Sequence, residues 1–237
     1  MKYTFSFIAI SLLLIFSVLM NGCTKKDEPK NEVKKTETTT TEQKDGVDKF
    51  TTGPSDEVKK IIDEGLAKSK AKNFKDAVKD FTAAIQKDPK NPDPYLYRGT
   101  AYAEMKKNKE AVDDFNKAIE LKPKDFEAIT NRGISFYEMK KYDEAIADYN
   151  KAIEINAKSP EAFLNRGNCF MKKKDYDKAI ADYTKAIELD KAYVNAYVNR
   201  GDCYYKNKNK DEACKDWNKA KELGDTGVEK LIKKLCK

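Results

Sequence analysis

The chain contains no histidine, so the commonest general base and a common metal ligand are both missing. Its five cysteines, Cys23, Cys169, Cys203, Cys214 and Cys236, have none of the spacings of a zinc site. No Gly-rich phosphate loop and no carboxylate pair outside a repeating pattern stands out. These residue types offer no catalytic group, no metal site, no cofactor and no small-molecule substrate, and the chain is expected not to be an enzyme. The formal charge is +7, but 47 Lys and Arg are interspersed with 40 Asp and Glu. That mixture suits a solvated surface better than a nucleic-acid footprint. What is left is binding chemistry. Asn131, Asn165 and Asn199 stand 34 residues apart, with Tyr97 one step earlier in the same column. A carboxamide both donates and accepts hydrogen bonds, so a row of them can hold the backbone of an extended peptide without reading its sequence. The alternative is that each Asn bonds a neighbouring helix or loop.

The elements that would position this row follow from the same spacing. Arg-Gly occurs at Arg98-Gly99, Arg132-Gly133, Arg166-Gly167 and Arg200-Gly201, and one further step back falls on Gly65. Ala77, Ala111, Ala145, Ala179 and Ala213 keep that register, as do Ala84, Ala118, Ala152, Ala186 and Ala220. So do Phe81, Phe115, Tyr149, Tyr183 and Trp217. Ala, Lys and Glu recur and Gly and Pro are few, which favours helix. A fixed period of this length is the mark of a stacked repeat array. Small columns fall where two helices cross closely, and the aromatic columns are expected to fill the space between neighbouring hairpins. Pro89, Pro123 and Pro160 fall between repeats.

These columns resemble the tetratricopeptide repeat, over residues 58–91, 92–125, 126–159, 160–193 and 194–227. The resemblance implies an all-α, right-handed solenoid of five helix–turn–helix repeats. Residues 226–236, with Val228, Leu231, Ile232 and Leu235 at helical spacing, would form a C-terminal capping helix. It also implies a non-catalytic scaffold whose first helices line a concave groove for a protein or peptide. The groove residues would be Tyr97, Asn131, Asn165 and Asn199, with Asn168, Tyr137 and Tyr205 one or two turns on. The family's carboxylate clamp needs cations where this chain has Leu96, Thr130, Leu164 and Val198, so that mode is not expected. The alternative function is a structural subunit of an envelope assembly, using the convex face or the edges.

A second repeating pair is charged. Asp80, Asp114, Asp148, Asp182 and Asp216 share one column. Joining each to the base 18 residues onward, from Asp80–Arg98 to Asp216–Lys234, leaves no charge over, whereas joining within repeats sets Asp80 against Glu64. The sequence therefore predicts ion pairs between successive repeats.

The N-terminus reads as an export signal over residues 1–22, with Lys2 before an apolar run and Asn21-Gly22-Cys23 after it. Met20-Asn21-Gly22-Cys23 resembles the lipobox of bacterial lipoproteins, which implies a lipid on Cys23 and a membrane partner. A plain cleaved signal and an uncleaved anchor are the alternatives, and all three place the body outside the cytoplasm, in or on the bacterial envelope. Residues 23–55 are rich in Lys, Glu and Thr and lack the apolar surface to fold. They read as a tether of roughly 30 Å root-mean-square length, leading to a repeat body over 56–237. Outside the cytoplasm a disulfide is permitted. Cys214 and Cys236 lie on elements expected to pack together, and either a disulfide or two buried thiols would suit them. Cys169 and Cys203 share a column and read as small core residues.

Overall fold

A computed structural model describes residues 55–236. The expected signal, Cys23 and most of the tether lie outside the described residues. Those residues hold eleven helices and no strand. They form five antiparallel pairs: α1 (Asp56–Lys70) with α2 (Phe74–Lys87), α3 (Pro92–Glu104) with α4 (Asn108–Leu121), α5 (Phe126–Glu138) with α6 (Tyr142–Ile155), α7 (Pro160–Lys172) with α8 (Tyr176–Leu189), and α9 (Val194–Lys206) with α10 (Lys210–Glu222). A short α11 (Glu229–Leu235) follows. Each helix packs on the next in the chain, and the first helices also touch their counterparts in adjoining pairs. The body is thus an all-α solenoid.

Four of the five first helices start on side-chain acceptors. Asp125 accepts from the backbone N–H groups of Glu127 and Ala128, and Ser159 from that of Ala162. Pro160 occupies the first turn of α7, where its missing N–H costs nothing. Inside each pair the Gly column meets the aromatic column. A Cβ on Gly133 would lie 2.9 Å from Cε1 of Tyr149, and one on Gly201 would lie 2.8 Å from the Trp217 indole. The Ala columns are fully buried beside them. The aromatics thus fill the hairpin interior first and reach the neighbouring pair second, as Phe81 does against Tyr97 at 5.7 Å between ring centroids.

The capping helix obeys the same rule by its exception. Leu235 falls in the Gly column, and it fits because among the described residues α11 packs only against α10, with no aromatic-bearing helix of its own pressing on that position. Val228 is buried, and Leu231, Ile232 and Leu235 pack partly buried against the last pair.

The predicted charge ladder is not what forms. Each Arg instead grips the Asp of its own repeat, 16 residues onward. Arg132 donates from Nε and Nη2 to Asp148 at 2.8 and 2.6 Å. Arg98–Asp114, Arg166–Asp182 and Arg200–Asp216 repeat the same two-pronged geometry. In the first repeat Lys68, one turn beyond Glu64, takes the Arg's place and bonds Asp80 at 2.8 Å. At the other end Lys234 is exposed. The reason is rotation about the second helix. Two residues turn it by about 200°, so the Asp column faces its own hairpin while the Thr/Asn column two residues on faces the next. The link between repeats is made there by the third guanidinium nitrogen: Nη1 of Arg98, Arg132, Arg166 and Arg200 donates to Thr82, Asn116, Asn150 and Thr184 of the preceding repeat.

Candidate functional site

The first helices present one continuous face, and the residues expected to form a groove lie along it. They are not equivalent. Asn199 is 6% exposed and Asn168 is 5% exposed. The Asn199 carboxamide donates to Asn168 Oδ1 at 2.9 Å, and the Tyr183 hydroxyl donates to the same oxygen at 2.8 Å. That buried triad is engaged with itself, which is the neighbour-bonding alternative for this column. Asn131 donates to Thr100 Oγ1 across the repeat boundary at 3.4 Å, a long and partly buried contact. The Asn165 side chain is half-buried and makes no hydrogen bond to the protein among the described residues.

The aromatic members divide in the same way. Tyr97 packs among the clusters of the first two repeats, and burial raises its hydroxyl pKa. Tyr137 is half-buried, stands edge-on to Tyr142 at 5.5 Å between ring centroids, and is raised by burial as well. Tyr205 is 40% exposed and rests 5.7 Å from the Trp217 ring. Asn165, Tyr137 and Tyr205 are therefore the predicted residues that keep polar or aromatic surface available to a partner.

Asp202 holds the place that Asn168 holds one repeat earlier. Its carboxylate accepts from the Trp217 indole N–H at 3.1 Å, as Asn168 accepts from Tyr183. Burial raises its pKa, and the Trp217 bond offsets only part of that. Burial likewise raises Asp114 above the ordinary carboxylate range despite Arg98. It pushes the buried thiols of Cys169 and Cys203 up to about 12, which leaves them as unreactive packing groups. Cys214 and Cys236 are joined as a disulfide between α10 and the end of α11. No group of three or more Cys, Asp or Glu able to hold a metal occurs among the described residues.

Sequence reasoning missed three features. The Thr/Asn column that receives the arginines was legible as another 34-residue spacing, at Thr82, Asn116, Asn150 and Thr184. Lys68 was not, because it lies out of register. Nor was the pairing of Tyr183 with Asn168 or of Trp217 with Asp202, which joins residues 15 apart on two helices.

The tetratricopeptide repeat model matches residues 92–125 and 160–193, and a second of that description matches 194–226. A model described as a TPR repeat matches 135–174. No curated protein matches the sequence. Among solved structures, MamA from Desulfovibrio magneticus RS-1 is 19% identical, with a TM-score of 0.69 over 72% of this chain and 97% of that one. Another MamA structure is 26% identical, with a TM-score of 0.65 over 71% of this chain and 96% of that one. YrrB, described as a TPR protein with an unusual peptide-binding site, is 22% identical, with a TM-score of 0.64 over 73% and 90%.

Proposed function

The chain belongs to the tetratricopeptide repeat family of protein–protein interaction scaffolds, and from that premise we propose that it binds an extended peptide segment along its first helices. We read the chain as non-catalytic and as held to the bacterial envelope by a lipid on Cys23. The observation that carries the binding reading is Asn165. Its carboxamide lies half-buried on the shared face with no hydrogen bond to the protein among the described residues, while its counterparts Asn131 and Asn199 are engaged. A peptide backbone would supply both the donor and the acceptor that this group lacks. Tyr137, on the first helix of the preceding repeat, offers flat apolar area at low entropic cost. YrrB supplies a precedent for peptide binding on a similar fold.

The test is capture of partners from solubilised envelope by the wild type, Asn165→Ala and Tyr137→Ala, with thermal unfolding measured alongside. A partner retained by the wild type and lost by both variants, at unchanged stability, supports the groove. Equal retention by all three would refute it and favour contact through the convex face or the edges.

A further inference from the structure

Each of the five hairpins turns through one residue with positive φ that is not glycine, and all five are lysine: Lys72, Lys106, Lys140, Lys174 and Lys208, with φ between 59° and 63°. This left-handed region is where glycine is the default, because a Cβ crowds the following carbonyl. A cation at a helix C-terminus does gain from the helix dipole, but that gain is smaller than the strain. A lysine on either side of the turn would collect the dipole term without the strain. Five lysines at five strained positions therefore require another reason.

Their placement supplies one. The turns lie at the C-terminal ends of the first helices, which contact one another along the solenoid. Two contacts fix the turns side by side. Lys173 in the fourth turn reaches Asp143 at the start of the preceding repeat's second helix, and Asn207 in the fifth turn reaches Asp177. These contacts engage Asp143 and Asp177, while Glu104 lies within electrostatic reach of Lys72 and Lys106 without pairing with either. All five left-handed lysines are exposed, and none has a side-chain hydrogen bond or ion pair among the described residues. The result is one edge bearing a regular row of cations outside the protein's own ion pairs.

We propose that this edge lies against the anionic headgroups of a phospholipid bilayer. For the choice of a membrane as partner, the proposal rests on the envelope reading above. A row of fixed charges on a rigid scaffold suits a flat, laterally mobile array of phosphates, since no register has to be matched. Lipid anchoring is also strengthened by a second, electrostatic signal. The edge would orient the solenoid on the membrane while its first-helix face keeps its partner.

The full chain, reconstituted on vesicles of phosphatidylcholine alone or with phosphatidylglycerol added, is treated with an amine-acylating reagent and the lysines are quantified by mass spectrometry. Acylation of the five lysines, and of Lys107 and Lys141 beside them in the same turns, should slow about fivefold on the anionic vesicles, the factor for one lysine held at a charged surface. Lys79 and Lys151 on the second helices should be unchanged. Equal labelling on the two vesicle types would overturn the proposal, and so would protection by soluble polyphosphate but not by vesicles. Retention on neutral vesicles reports the Cys23 anchor separately, so an anchor failure and an edge failure are told apart. The K72G/K106G/K140G/K174G/K208G variant should keep its circular dichroism, because glycine suits these turns. It should lose the protection of Lys107 and Lys141; if that protection persists, the edge is refuted.

Discussion

The two-pronged Arg–Asp grip makes a sharp energetic prediction at Arg132 and Asp148. Asp148 is 3% exposed and takes both of its charge-assisted bonds from Arg132. Arg132→Met removes those donors and strands the carboxylate in the core. Breaking one side of a buried pair costs about 3–5 kcal/mol. For a body of this size each kcal/mol moves the midpoint by roughly 2–4 °C, so Tm should fall by about 6–20 °C. Asp148→Leu together with Arg132→Met removes both charges and should recover most of that loss, because a matched apolar pair is often as stable as the ion pair. The assay is urea unfolding of the full chain followed by far-ultraviolet circular dichroism, run as a double-mutant cycle. The Arg132–Asp148 coupling should be about 1–3 kcal/mol, against about 0.5 kcal/mol or less for Asp114–Arg132, the pair that links successive repeats. A coupling for Asp114–Arg132 as large as for Arg132–Asp148 would refute the assignment of these ion pairs to single repeats.

Three further outcomes are expected. Asn199→Ala removes a donor to Asn168 inside the buried triad and should cost about 1–2 kcal/mol, whereas Asn165→Ala should change stability by less than about 0.5 kcal/mol; urea midpoints of the two variants decide this. Because burial raises the Asp202 pKa, the folded state holds that proton more tightly than the unfolded state, and this group's contribution falls as pH rises from about 4 through the raised value. Asp202→Asn keeps an acceptor for Trp217, so it should flatten that part of the pH–stability curve and be more stable than wild type at neutral pH; thermal melts between pH 4 and 7 would show it. Reducing the Cys214–Cys236 disulfide, which spans 22 residues, should cost about 3 kcal/mol by the loop-entropy relation and raise hydrogen exchange in α11 while α3–α8 stay protected.

The period determined most of the architecture from the sequence alone. Gly133 and Tyr149 must lie in fixed columns because a Cβ on one would strike the ring of the other, and that steric demand repeats with every hairpin. Packing of this kind is local to a helix pair and its neighbour, so it is written into spacing. The capping helix was legible for the same reason, since an array must cover its last apolar face.

Polar groups behaved differently, because spacing says that two columns recur but not which faces meet. Asp114 and Asn116 are two residues apart in sequence yet face different repeats, and the helix rotation sends one to Arg98 and the other to Arg132. Asn165 and Asn199 share a column, yet only Asn199 is engaged by Asn168. The left-handed lysines read as ordinary surface charge until the backbone gave them a positive φ. Side-chain identity and period determined which helices form and how they stack. Only the tertiary structure decided which polar atoms are already engaged inside the protein, because a hydrogen bond depends on direction as well as on position.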